Sequence, residues 1–257
     1  MNFYQQWIAL TTIIRKEVVR FTRIWVQTLL PPVITMGLYF VIFGKLIGSR
    51  IGEMDGFNYM EFVVPGLIMM SVITNSYSNV VSSFFGAKFQ KSIEEALVSP
   101  TPNYIILMGY VFGGVSRGLL VGFIVTLVSM FFTDLRVENL AVTIGIVFLT
   151  SVVFALAGFF NAVFANSFDD ISIVPTFILT PLTYLGGVFY SISLLPEFWQ
   201  GVSKLNPILY IVNAFRYGIL GISDINVTHA FLGVFVFIIL LTSICMYLLT
   251  YGTRLRS

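Results

Sequence analysis

The chain has 257 residues, 57% of them hydrophobic and 10% charged, with a net charge of +2 and a mean hydropathy of +0.93. A soluble domain carries about a quarter charged residues, so this chain lacks the solvated shell that a soluble enzyme, a nucleic-acid binder or a disordered protein needs. What remains is an integral membrane protein of one unit, 1–257, in which the single cysteine, Cys245, excludes a disulfide framework and a multi-cysteine metal site.

In chain order, Phe3, Trp7, Leu10, Ile14, Val18, Phe21 and Trp25 recur at three- and four-residue steps, with Arg15, Lys16, Arg20 and Arg23 on the opposite arc. The pattern predicts an amphipathic helix over 3–23 lying at a membrane interface rather than a signal peptide. Pro31 and Pro32 then mark a helix break or a first turn, where missing N–H groups cost least.

Uncharged gaps of 20 residues or more predict the spans, because a helix needs about 20 apolar residues to cross the hydrocarbon core. Such gaps run from Arg23 to Lys45, Glu61 to Lys88, Glu138 to Asp169, Asp170 to Glu197 and Asp224 to Arg254. A sixth apolar stretch, Tyr104 to Phe132, contains only Arg117. Six helical spans put both termini on one side. That side carries Arg15, Lys16, Arg20, Arg23, Lys88, Lys91, Arg254 and Arg256, against Lys45, Arg50, Arg136, Lys204 and Arg216 on the other. The excess makes the termini cytoplasmic.

The most polar stretch, 88–100, ends sharply at Ser99-Pro100-Thr101-Pro102 and reads as a solvated loop or a short exposed helix. Arg117 inside a span either lines a path, pairs with a carboxylate at another helix end, or snorkels as an anchor. Gly109-Tyr-Val-Phe-Gly113 and Gly114-Val-Ser-Arg-Gly118 are small-xxx-small patterns suited to helix contact. Asp169-Asp170 reads as a helix cap or a two-carboxylate acid/base pair. Pro175, Thr180-Pro181 and Gly186-Gly187 predict a bent fifth span. Segment 197–221 is too apolar for a free loop and too interrupted for a span, so it reads as re-entrant helices.

No phosphate-binding loop, HExxH or GxSxG pattern occurs, and His229 is the lone histidine. The chain is therefore not expected to be an enzyme, to hydrolyse ATP or to hold a metal. An ion-coupled transporter or channel is the alternative class, with Arg117 as its one clear intramembrane charge. An intramembrane enzyme using Asp169, Asp170 and His229 is a third, disfavoured because the topology puts the Asp pair and the histidine on opposite faces.

The amphipathic helix, Glu94-Glu95-Ala-Leu-Val-Ser-Pro100, Asn206-Pro207-Ile-Leu-Tyr210 and Phe215-Arg216-Tyr217 together resemble the permease subunits of ABC-2 type transporters. Arg23-Ile-Trp-Val-Gln-Thr-Leu, Phe168-Asp-Asp-Ile-Ser and Leu182-Thr-Tyr-Leu-Gly-Gly-Val-Phe-Tyr190 resemble the YadH-like inner-membrane permeases of Gram-negative bacteria. The resemblance covers nearly the whole chain. It implies an all-α exporter fold, used as two copies with two cytoplasmic ATP-binding subunits that hold the ATP and Mg, so that this chain binds no cofactor itself. It makes 88–100 a coupling helix, with Lys91, Glu94 and Glu95 as contacts to the ATPase, Leu97 as an apolar anchor, and Arg15, Lys16 and Arg20 supporting the same interface. It implies alternating access along a path lined by spans one, two and five, with Asn75, Ser78, Thr176, Thr180 and Tyr184 as polar lining residues. The cargo expected is a hydrophobic or amphipathic molecule, with a lipid-linked glycan as the rival. The partners expected are the ATPase, a second copy and membrane lipid.

Overall fold

The computed structural model describes residues 1–252; Arg254 and Arg256, counted above for the cytoplasmic side, lie outside them. Its organising element is the helix Tyr59–Phe89, 31 residues long and so about 46 Å from end to end. Asn58 opens it: its side chain accepts from the Met60 amide at 3.2 Å, while Glu61 accepts from the Asn58 amide at 3.3 Å. Such a reciprocal cap satisfies donors that a helix start otherwise leaves unpaired. Most of this helix is buried, including Asn75, Ser76, Asn79 and Ser83. Protein surrounds it, so it can carry polar residues that a lipid-facing helix cannot.

Four further helices are long and apolar enough to cross a membrane: Trp25–Ile51, Asn103–Ser129, Leu140–Phe164 and Val227–Tyr251. The first begins with a short turn, Trp25–Thr28, before Leu30–Tyr39, whose first turn holds Pro31 and Pro32. It then widens into a π-helical segment, Phe40–Ile47. The central helix matches them in length, but its Ser and Asn content keeps its hydropathy lower. The fifth expected span is a shorter bent helix over 170–184, built from Asp170–Val174, a π turn Pro175–Leu179 and Thr180–Tyr184. Pro175 removes a backbone donor where the wider turn begins, which accounts for the bend.

Glycines set the helix spacing. Gly109 and Gly113 of helix Asn103–Ser129 lie against Ile13 and Glu17 of the N-terminal helix Phe3–Arg23. Gly114 lies against Val80 and the Ser76 carbonyl, and Gly118 against the Ser76 hydroxyl. The two small-residue patterns therefore serve two different neighbours. Gly158 makes the matching approach from helix Leu140–Phe164, where an added Cβ would sit 2.5 Å from the Tyr77 carbonyl oxygen.

Helix Ser92–Val98 follows the central helix at one end of the molecule. At the same end Lys88 Nζ donates to the carbonyls of Val163 and Ala165, 2.8 Å each, capping helix Leu140–Phe164. The opposite end holds a two-stranded ribbon, Glu53–Met54 with Phe57–Asn58, turned by Asp55 and Gly56 at φ of 51° and 82°. The sequence reading contains no strand, although Asp-Gly is the usual signature of such a turn. Also there are Glu197–Lys204 and Pro207–Leu220, two short helices over the stretch read as interrupted. Arg216, counted above among the basic residues of the side opposite the termini, is an interior side chain, 1% exposed. It stacks 3.9 Å over the Phe62 ring and donates to the Gly187 carbonyl at 2.6 Å.

Candidate functional site

Three groups of residues bear on function: the short helix after the central one, the N-terminal helix beside it, and the polar residues of the central and bent helices. The segment 88–100 forms one exposed helical turn pair rather than a loop. Lys91 precedes Ser92–Val98 with φ 58°, a left-handed conformation that reverses the chain after the long helix. Glu94 and Glu95 sit in the first turn, where the helix dipole favours carboxylates. Ile93 is the side chain that fastens the helix to the protein, being fully buried in the core. Ser99 caps the exit, donating to the Ala96 carbonyl at 2.6 Å and accepting from the Thr101 amide at 3.3 Å. Lys91 and Glu95 are exposed. Leu97, the apolar anchor that the resemblance implies, is half-buried against the chain's own core. The apolar side chains left open are Val98, 87% exposed, and Phe89.

The face on which the N-terminal helix packs is rotated from its apolar stripe and overlaps it only in part. Phe21 of the stripe is buried and Leu10, Ile14 and Val18 are half-buried, but Phe3, Trp7 and Trp25 stay exposed, and Ile13, Glu17 and Arg20 from outside the stripe turn inward. Glu17, 0% exposed, receives a hydrogen bond from Ser83 at 2.6 Å and pairs with Arg20 at 3.3 Å. Arg20 Nη2 donates to both the carbonyl and the side-chain oxygen of Asn79, 2.9 Å each. Arg15 and Lys16 are exposed, with the Lys16 ammonium 5.7 Å from the Tyr110 ring centroid. Of the three basic residues expected at a docking surface, Arg20 is thus committed inside the protein. Glu17 is the residue that sequence reasoning missed, although it is the one acidic residue among the four basic ones of that helix.

Arg117 enters the same arrangement from the neighbouring helix. Its Nη2 donates to Asn75 Oδ1 at 3.0 Å and to the Thr28 carbonyl at 3.5 Å. Of the readings open for Arg117, pairing is what the structure contains, but with an amide and a backbone carbonyl and not with a carboxylate. Asn75, Asn79 and Ser83 recur every four residues and form one face of the central helix. Asn75 takes its partner, Arg117, from helix Asn103–Ser129, and Asn79 and Ser83 take theirs, Arg20 and Glu17, from the N-terminal helix.

Asn75 is therefore unlike the other expected path residues. Ser78 lies on a different, partly open face that continues through Thr74 and Ser82. Thr176, Thr180 and Tyr184 are all exposed along the bent helix, and the Thr180 hydroxyl satisfies the Pro175 carbonyl at 2.9 Å across the π turn. At the start of that helix the Asp170 carboxylate accepts from the amides of Asn166 and Ser167 at 2.8 and 3.2 Å. These bonds cap the helix and hold the Asp170 carboxyl below the usual carboxylate range. His229 lies at the opposite end of the molecule, near the start of helix Val227–Tyr251. Among the described residues no cluster of His, Cys, Asp and Glu has the makings of a metal site.

A bundle of long apolar helices, an exposed acidic turn fastened at one end and arginines held on amides inside the bundle describe a multi-helix membrane protein. The family model for ABC-2 type transporters matches residues 8–220, and the chain belongs to that family. It is 61% identical over 257 residues, the whole of both chains, to the inner membrane transport permease YadH of Escherichia coli (strain K12), and equally to that of Shigella flexneri. It is also similar to Nodulation protein J of Sinorhizobium fredii (strain NBRC 101917 / NGR234), at 24% identity over 171 residues, which cover 66% of this chain and 65% of that one.

Proposed function

We propose that the chain is the membrane subunit of an ATP-binding cassette exporter of the bacterial inner membrane, working as two copies with a separate cytoplasmic ATPase. In this reading the chain crosses the membrane six times, counting the central and bent helices, with both termini and Ser92–Val98 in the cytoplasm. The short helices Glu197–Lys204 and Pro207–Leu220 lie re-entrant at the outer face. ATP and Mg belong to the partner subunit, since this sequence has no phosphate-binding loop.

The observation that carries the proposal is the polar joint between the N-terminal helix and the central helix, beside an exposed acidic helix rooted by Ile93. A push on Ser92–Val98 meets a side chain fixed in the core, and the central helix is the element it continues from. Lys91, Glu94 and Glu95, with Val98 and Phe89 as the apolar part, form the docking surface, and Arg15 and Lys16 extend it. Leu97 supports the helix from within. The cargo is hydrophobic or amphipathic, and the open polar stripes Thr74–Ser78–Ser82 and Thr176–Thr180–Tyr184 line its path when a second copy closes over them.

The test is affinity purification of the full chain from its native membrane. A cytoplasmic ATPase is expected to come with it, and the isolated chain is expected to hydrolyse no ATP. Glu94→Lys with Glu95→Lys is expected to reduce the recovered ATPase at least ten-fold while the variant remains in the membrane. Recovery of the chain without any ATPase, or undiminished recovery with the double variant, overturns the proposal.

A further inference from the structure

The turn between helix Leu140–Phe164 and the bent helix is fastened to the end of the central helix by two kinds of contact. Lys88 Nζ donates to the carbonyls of Val163 and Ala165, 2.8 Å each, and holds the end of Leu140–Phe164. On either side of Lys88 in sequence, Phe85 and Phe89 hold Phe168. The Phe168 ring stands edge-on to Phe85, with centroids 5.0 Å apart and planes at 89°, and meets Phe89 at 5.2 Å and 61°. Phe85 is buried, whereas Phe89 and Phe168 are 64% and 55% exposed. Phe168 precedes the bent helix, which begins at Asp170, and the Asp170 carboxylate accepts from the amides of Asn166 and Ser167 just before it. Phe168 and the start of the bent helix are thus one piece.

The two fastenings differ in strength and in place. An ammonium shared between two carbonyls makes charge-assisted bonds, the stronger kind. A ring pair shifts an equilibrium by at most about ten-fold, and rings half open to their surroundings gain little more from burial. Lys88 therefore makes 163–165 a fixed point, and the rings form a contact that releases first. Phe89 follows Ser82 by seven residues, two helical turns, and so lies on the face of Thr74, Ser78 and Ser82. Phe85, three residues after Ser82, lies on the same face. Gly86 beside it leaves that face open, since an added Cβ meets nothing within 4 Å. The open stripe of the central helix therefore ends, on the Ser92–Val98 side, at a ring carried by the start of the bent helix.

We infer that Phe168, seated on Phe85 and Phe89, is a catch that closes the Ser92–Val98 end of the path between the central and bent helices. Closed, it bars entry to the hydroxyl stripe from the cytoplasm. Released, it lets the bent helix swing about 165–167 while Lys88 keeps the end of Leu140–Phe164 in place. Helix Ser92–Val98 begins three residues after Phe89, so a partner that shifts this helix acts on one jaw of the catch. The inference rests on the path proposed above and assigns its inner gate; it does not depend on the identity of the cargo.

The test uses the full chain in inside-out membrane vesicles, with Ser78→Cys in a Cys245→Ala background and a membrane-impermeant maleimide added outside. Slow labelling is expected with Phe168 in place. Phe168→Ala is expected to label about ten-fold faster, as the loss of the ring contacts predicts, and Phe168→Tyr to keep the slow rate. Made in the chain that retains Cys245, Phe168→Ala is expected to leave that buried thiol unreactive, whereas a general loosening of the fold would expose it. If Phe168→Ala does expose Cys245, Phe89→Ala, which removes the other exposed ring, decides by the same measurement. Equal rates at 78 with and without the ring overturn the inference and leave the path standing. Absence of labelling at 78 in every variant, with labelling restored by a membrane-permeant maleimide, would place the stripe against lipid and remove the path and its gate together.

Discussion

Arg20 reaches through one nitrogen to both oxygens of Asn79, 2.9 Å each, and ties the N-terminal helix to the middle of the central helix. The same guanidinium balances Glu17, which is wholly buried and bonded to Ser83. An interfacial helix held only by its apolar stripe can slide or lift. One held by three directional bonds to a buried helix moves with it.

Removing one member of this group leaves the others buried and unpaired. Arg20→Met is expected to destabilise the chain by about 3–5 kcal/mol, since it strands the Glu17 carboxylate. Arg20→Met with Glu17→Met is expected to cost clearly less than Arg20→Met alone. Thermal unfolding in one detergent checks both, and equal losses would mean that the pair carries no coupling.

Gly113 is where the two helices touch, an added Cβ lying 2.5 Å from Glu17 Cβ. Gly113→Val is expected to push the N-terminal helix away, whereas Gly86→Ala, where nothing lies within 4 Å, is expected to be tolerated. Cross-linking by a short bismaleimide between cysteines placed at 6 and 104, whose natural side chains meet at 2.8 Å, reports the separation, and should fall sharply in Gly113→Val.

The central helix has a committed face and an open one. With Cys245 replaced by Ala, cysteines introduced at 74, 78 and 82 are expected to react with a membrane-permeant maleimide, and those at 75, 79 and 83 to remain protected. Cys245 itself, fully buried in the natural chain, is expected to react only after unfolding. Equal labelling at 75 and 78 would contradict the division of faces.

Asp170 caps its helix as a carboxylate. Its folded pKa is lowered by the amides of Asn166 and Ser167 and by the Ser167 hydroxyl, so its contribution is present above the ordinary carboxylate range. It is lost as pH falls through the folded value. Amide exchange at Asn166 and Ser167, corrected for its intrinsic pH dependence, is expected to lose protection at acid pH. Asp170→Asn is expected to lack that acid-side loss.

Much of the architecture was legible from spacing. Pro31 and Pro32 mark a helix start, Pro175 a bend, and Pro100 and Pro102 the end of an exposed helix, because proline restricts the backbone wherever it occurs. The Asp55-Gly56 turn is equally legible, since Asp-Gly supplies the positive φ angles that a tight hairpin needs. Local patterns did not show which face each helix buries. Glu17 carries no local mark that it is buried, and Leu97, an apolar anchor by the family resemblance, is half-buried against the core.

By itself the sequence determined that this is a multi-helix membrane protein with an exposed acidic turn after its second long helix. Twenty-residue apolar runs and scarce charge leave no other solvent for the chain. Only the tertiary structure decided that Asn75, Asn79 and Ser83 hold Arg117, Arg20 and Glu17. Hydrophobicity is a property of a segment and can be summed along the chain. A hydrogen bond needs two groups at about 3 Å with the right orientation, and residues 60 positions apart acquire that relation only when the helices have packed.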